Sequence, residues 1–471
     1  MDCSTQSTKV LVVDPDDGRV VAAGRAPHEV TGRAGARETH PDVWWQALRA
    51  ALAATGMAGE VAAISIAGQQ HGLVACDEAG GPLRPAILWN DTRSGREAAE
   101  LVSALGNEAR AERIGSVPVP SFTVTRWAWL RRNQPEVAAE ARALRLPHDY
   151  MTERLCGRGV SDRGDASGTG WWSTASESYS QEVLELPAVE LDREMLPEVL
   201  GPGEAAGEVS ASAAGELGLR AGALVGPGTG DNMGAALGLG VAAGEPVVSL
   251  GTSGTAFAVM DERAADASGM VAGFADASGR YLPLTATLNA TLAVDRVAGW
   301  LGLDRSAAAE RTEAVVLPYF DGERTPNLPR AAGMFAGLRH DTAPEEILLA
   351  TYQGVAASLV EAVEALAGQG SGIDPDAAVV LVGGGARGAV WQRVVGSLSG
   401  RAVQVPDAEE LVALGAAAQA AGCLSGEPPE QVASRWGMRR GLTLEPPAER
   451  DSEALERIRA VREATLALHE R

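Results

Sequence analysis

Asp231 and Asn232 stand where an apolar strand runs out into glycines and a small-residue helix begins, in Val225 to Gly240, VGPGTGDNMGAALGLG. A carboxylate at a glycine-cleared strand end, beside the positive start of a helix, can take a proton from a polar ligand or simply cap that helix. Both roles stand open on this stretch alone. A second polar pair, Gln70 and His71, lies in GQQHG, Gly68 to Gly72, after the apolar run Val61 to Ala67. An amide beside an imidazole at a sheet edge offers hydrogen bonds to a hydroxylated ligand, although the plainer expectation for His71 is a satisfied core histidine. Asp91 and Arg93 in ILWNDTR form a pair that orders a loop or touches a substrate.

Phosphate chemistry is suggested by two hydroxyl-rich loops, each beside an apolar strand. One is Asp2-Cys-Ser-Thr-Gln-Ser-Thr-Lys9 before Val10 to Val13, and the other is Gly251-Thr-Ser-Gly-Thr255 after Val247 to Leu250. Duplicated loops of this kind can hold one phosphorylated ligand from two sides through backbone amides and hydroxyls. Neither is a GxxxxGK[ST] loop. Lys9 is the only lysine in the chain, which hints that a compact ammonium is favoured there, although a surface lysine would look the same. Gly383, Gly385 and Gly388 in GGGARG follow a strand and open a helix, with Asp407 after the next strand, as a dinucleotide-binding fingerprint requires. That motif alone reads as a dehydrogenase. The same glycine turn also accepts adenosine or a phosphate.

The elements that must position these residues follow from apolar periodicity. Strands are predicted at Val10 to Val13, Arg19 to Ala23, Val61 to Ala67, Ala223 to Gly226, Val247 to Leu250, Ala377 to Val382 and Ala402 to Val405. Helices are predicted at Pro41 to Thr55, Thr125 to Asn133, Pro344 to Leu366, Ala389 to Ser399, Leu411 to Ala421 and Ser452 to His469. Leu155 to Ser173 reads as a glycine- and serine-rich loop at a domain edge. At 471 residues with 45% apolar content the chain has material for two or three domains. A formal charge of −22 disfavours nucleic-acid and anionic membrane partners. Cys3, Cys76, Cys156 and Cys423 lack metal or disulfide spacing, no leader precedes the first strand, and no run reaches the roughly 18 apolar residues of a span. A cytoplasmic location is expected.

In order, these motifs resemble the FGGY family of carbohydrate kinases over nearly the whole chain. SFTVTRWAWLRRN, Ser121 to Asn133, is similar to the family's N-terminal signature with Arg126 where a lysine is usual, and GMFAGLRHDTAPEEILLATYQ, Gly333 to Gln353, matches its C-terminal one. The resemblance implies an α/β fold of two ribonuclease-H-like (actin/sugar-kinase type) domains around a central cleft, residues 1–240 and 241–471, using ATP and Mg2+. Carried across, it makes Asp231 the general base, places Asn232, Gln70 and His71 on the sugar, and gives Asp2 to Mg2+. Thr5, Lys9, Gly251 and Thr252 would line the phosphates, and Gly384, Gly385 and Ala386 the adenosine. Gln69-Gln70-His71 is closest to the branch acting on D-xylulose, with Gln70 in place of a methionine. Another sugar or polyol such as ribulose, gluconate or glycerol stays open, as do a nucleotide-driven switch and a sugar sensor without catalysis. A homodimer is carried as an expectation. An apolar strand is expected ahead of Asp2, so the natural chain is expected to begin earlier.

Overall fold

The computed structural model describes residues 1–469. Two compact units emerge. The first comprises Met1–Val241, Glu262–Leu282 and Ala408–Met438, and the second Ala242–Asp261, Pro283–Asp407 and Arg439–Arg471. A single division near residue 240 therefore leaves out two excursions. The second is explained by helix packing: helix Leu411–Ser425 lies against helix Asp231–Leu239 at backbone contact. A Cβ on Gly415 would stand 1.9 Å from the Gly234 carbonyl oxygen, and one on Gly238 would stand 2.1 Å from that of Leu411. Only glycine permits this approach.

In the first unit a five-stranded sheet runs Thr229–Gly230, Ala67–Gly68, Asp2–Cys3, Ser7–Val13, Val20–Pro27. Its first three strands are parallel and in register, with Thr229 opposite Ala67 opposite Asp2. The last three are antiparallel neighbours. Helix Pro41–Thr55 forms as its apolar spacing predicts, and it buries Trp44, Trp45, Leu48 and Leu52 against the hairpin strands. The predicted strand Val61 to Ala67 is broken in two. Ala63–Ile64 pairs with Leu224–Val225, while Ala67–Gly68 joins the main sheet.

The second unit repeats the plan. Its sheet includes, in order, Tyr281–Thr287, Gly254–Ala258, Pro246–Leu250, Val379–Val382, Val403–Pro406 and Gly441–Leu444. Again an antiparallel hairpin, here Pro246–Leu250 with Gly254–Ala258, lies beside a parallel strand. Helix Pro344–Ala367 packs against this sheet with Leu348, Tyr352, Val355, Leu359 and Leu366 buried. Among the described residues it is the one helix long and apolar enough to span a membrane by length and composition, and 78% of its apolar window is buried as core. Arg459 and Arg462 of helix Ser452–His469 bind its Glu361 at 2.8 and 2.5 Å.

Candidate active site

The parallel register of the first unit decides what meets what. Because Gly230, Gly68 and Cys3 are aligned across adjacent strands, the next residues, Asp231, Gln69 and Ser4, leave the sheet at the same edge. Neighbouring strands are about 4.8 Å apart, so side chains from the three exits share one small volume. Asp231 opens helix Asp231–Leu239, yet the cap residue is Gly230, in extended conformation and without a side-chain cap. The carboxylate therefore does not serve as the N-cap. Its Oδ1 accepts hydrogen bonds from the Asn232 backbone N–H at 2.8 Å and from Asn232 Nδ2 at 2.9 Å. Burial, with Asp2 and Asp165 adding like charge, pushes this carboxyl up to about 7 against the pull of Asn232.

Gln70 is 5% exposed, and its Oε1 accepts from Asn232 Nδ2 at 2.8 Å. The Asn232 amide is thus fixed between Gln70 and Asp231. His71 takes a left-handed φ of 66°, donates through Nδ1 to the Gly168 carbonyl at 2.7 Å, and stacks on Phe122 with ring centroids 5.0 Å apart. It is half-buried rather than a core histidine. Asp2 is 2% exposed and its backbone is paired on both sides, opposite Lys9 and Ala67, so it is firmly held in the sheet. Ser4 Oγ donates to its carboxylate at 2.6 Å, and Lys9 Nζ lies 3.6 Å from it while contacting Glu410 at 2.5 Å. Burial pushes Asp2 above its ordinary range, which Ser4 and Lys9 oppose. Thr5 Oγ1 accepts from Trp89 Nε1 at 3.0 Å.

In the second unit, Gly251 and Thr252 form the tight turn between Pro246–Leu250 and Gly254–Ala258. The Gly251 carbonyl is held by the Thr291 backbone N–H at 3.1 Å and hydroxyl at 2.8 Å. Gly384, Gly385 and Ala386 follow the adjacent parallel strand Val379–Val382, and the Gly385 N–H donates to the Leu250 carbonyl at 2.9 Å. The two glycine loops therefore meet. A Cβ on Gly385 would stand 3.0 Å from that of Leu250, whereas one on Gly384 would meet nothing within 4 Å. Gly384 presents open backbone.

Three features escaped the sequence reading. Thr291 lies outside every motif, with only its place at a helix start to mark it. Arg126 stood out in the sequence only as an arginine where the resembled signature has a lysine, and its use did not: its buried guanidinium donates to the carbonyls of Leu88 at 2.9 Å, His71 at 3.1 Å, Trp89 at 2.6 Å and Ser121. The stretch Leu155 to Ser173, expected as an edge loop, carries helix Arg163–Ser167 between strands Val160–Asp162 and Trp172–Ser173, and residues 160–173 are buried. Asp162 tolerates burial because it is paired: it accepts from Gly164 and Asp165 N–H at 2.9 Å and from the Thr229 hydroxyl at 2.9 Å. Asp91 pairs with Arg93 and with the Arg37 N–H at 2.8 Å, so it orders its loop.

Comparison with known proteins assigns the chain to a family. Residues 1–238 match the N-terminal domain, and residues 247–422 the C-terminal domain, of the FGGY family of carbohydrate kinases. The chain is 56% identical to a xylulose kinase of Streptomyces rubiginosus, over all of this chain and 97% of that one. It is 54% identical to a xylulose kinase of Streptomyces coelicolor with the same coverage. The crystal structure of xylulose kinase from Bifidobacterium adolescentis superposes with a TM-score of 0.86 at 35% identity, covering 98% of both chains. The dehydrogenase reading of Gly383 to Gly388 gives way to a carbohydrate-kinase family, whose C-terminal domain covers these residues. With its paired hairpin-and-parallel-strand sheets, this chain belongs to the FGGY family of carbohydrate kinases.

Proposed function

We propose that the protein transfers the γ-phosphoryl group of ATP to a hydroxyl of D-xylulose, giving D-xylulose 5-phosphate and ADP. The observation that carries this reading is the Asp231 carboxylate, fixed by Asn232 at a three-strand exit with an elevated proton affinity of about 7. A base poised near the working pH accepts the hydroxyl proton as the oxygen attacks phosphorus and the bond to ADP breaks. Asp231 ends protonated and returns its proton to solvent. In-line transfer through a loose transition state asks mainly for alignment and charge neutralisation.

Gln70 acts on the sugar side by orienting Asn232, and His71, stacked on Phe122 and tilted against Phe274, serves the sugar beside it. Gly251, Thr252, Gly384, Gly385 and Ala386 serve the nucleotide, supported by the meeting of their two loops. Thr5 and Lys9 serve the phosphates from the first unit. Asp2 fits Mg2+ as one of the few carboxylates that ion takes when it shares its shell with water and phosphate oxygens, because the donor set is hard oxygen from Asp2 and Ser4. Bound there, the ion would neutralise phosphate charge. Cytoplasmic residence and small-molecule partners, with no nucleic acid or membrane, complete the reading.

The test is ADP release from Mg-ATP with D-xylulose, D-ribulose, L-ribulose, gluconate and glycerol. D-xylulose is expected to give the highest kcat/KM by at least about tenfold, the scale of one or two well-placed hydrogen bonds. Preference for another acceptor would redirect the substrate, and sugar binding without turnover would make the protein a sensor.

A further inference from the structure

His148 is the second residue of helix Pro147–Cys156 and is wholly buried. A histidine in that position would ordinarily be neutral and unremarked. Here three carboxylates face it. Its Nδ1 donates to Asp165 Oδ2 at 2.8 Å, while Nε2 lies 3.1 Å from Asp149 Oδ1 and 3.7 Å from Asp162 Oδ1. Burial works against a charged ring, but Asp149, Asp165 and Asp162 together hold it as the cation, at about 9.

His148 is also approached by the two backbone stretches that lead to the sugar-side residues, Gly228 at the ring and Gly68 at Cβ and the backbone. A Cβ on Gly228 would stand 2.4 Å from His148 Cδ2, and one on Gly68 would stand 3.2 Å from His148 Cβ. Gly228, at φ 80°, precedes Thr229, Gly230 and Asp231, and Gly68 precedes Gln69, Gln70 and His71. The carboxylates extend the contact on both sides. Asp162 takes the Thr229 hydroxyl at 2.9 Å, two residues before Asp231. Asp165 begins the turn whose Gly168 carbonyl takes His71 Nδ1 at 2.7 Å. Three separate chain segments are thus gathered around His148: residues 162–168 and 228–232 at its imidazolium, and residues 67–71 at its Cβ and backbone.

We infer that His148 is a positioning residue for phosphoryl transfer: its charge and its contacts with Gly68 and Gly228 set the relative placement of Asp231 and His71. The inference rests on the reading of Asp231 as the base. A neutral side chain leaves Asp149, Asp162 and Asp165 buried without their cation, so burial drives their carboxyls toward the neutral form and the Thr229 strand and the Gly168 turn lose their common charged anchor. A cation of similar reach keeps both. Misplacement of a base by about 1 Å costs about a hundredfold in rate.

The experiment compares His148→Gln, His148→Lys, Thr229→Val and Asp231→Asn with the wild type in D-xylulose phosphorylation, with thermal unfolding and the KM for ATP measured alongside. His148→Gln is expected to lower kcat by about thirtyfold or more with the ATP KM within twofold, and His148→Lys to restore kcat to within about threefold of wild type. Thr229→Val, which removes only the hydroxyl link to Asp162, is expected to lower kcat by about tenfold at an unchanged ATP KM. It also stands in should both His148 variants fail to fold. Wild-type kcat in folded His148→Gln, or in Thr229→Val, overturns the inference, as does a His148→Lys enzyme no better than His148→Gln. Activity retained in Asp231→Asn would instead refute the base itself.

Discussion

Asp231→Asn separates the cost of the carboxylate to the fold from its use in chemistry. The unfolded carboxyl titrates near 3.8 and the folded one at about 7. Because the folded value is the higher one, the native state holds this proton more tightly, and the group's contribution is fully present below pH 3.8. It falls as pH rises and is lost through pH 7. At about 1.4 kcal/mol per tenfold, the raised proton affinity costs the fold about 2 kcal/mol at pH 5, where only the unfolded carboxyl has ionised, and up to about 4 kcal/mol at pH 8, where both have. Asparagine carries no charge at either pH and keeps an oxygen to accept the Asn232 N–H. The variant is therefore expected to be more stable than the wild type, with a gap that widens by about 2 kcal/mol between pH 5 and pH 8. For a unit of this size that is about 4 °C in Tm. Thermal unfolding of both proteins at the two pH values reads the difference directly. A gap that is flat with pH, or a variant less stable than wild type at pH 8, would refute the reasoning.

Arg126→Lys replaces a guanidinium serving four carbonyls with an ammonium that reaches fewer, so stability should fall by about 2 to 4 kcal/mol and the sugar KM should rise as the His71 carbonyl is released; urea unfolding and sugar titration check both. Gly415→Ala drives a methyl group to 1.9 Å from the Gly234 carbonyl, and a loss of about 3 kcal/mol is expected in urea unfolding. Gly384→Leu meets no protein atom at its Cβ, so Tm should hold while the ATP KM rises at least about tenfold if adenosine lies on that backbone. An unchanged ATP KM would move the nucleotide elsewhere.

Helices at Pro41–Thr55 and Ala389–Ser399 were legible because each has an apolar stripe and a glycine just beyond its last residue. The Asp231 turn was legible because glycines, carboxylate and small-residue helix occur together. The network beneath it was not. Asp162 and Asp165 look like solvent-facing residues in a polar loop, and only three-dimensional pairing with Thr229 and with His148 makes their burial tolerable. The long strand expected at Val61 to Ala67 failed for a related reason. Apolar continuity does not show where a strand changes partners, here between Ile64 and Ala67. Arg126 was hidden by its helix, whose apolar face reads as packing while the guanidinium works on carbonyls brought from residues 71, 88 and 89.

The most direct test of the account is the rate of D-xylulose 5-phosphate formation by Asp231→Asn at pH 8, measured by mass spectrometry of the product alongside D-xylulose binding by calorimetry. The account predicts a folded variant that binds the sugar within a few-fold of wild type yet turns over about a thousandfold more slowly. Turnover near the wild-type rate would contradict it.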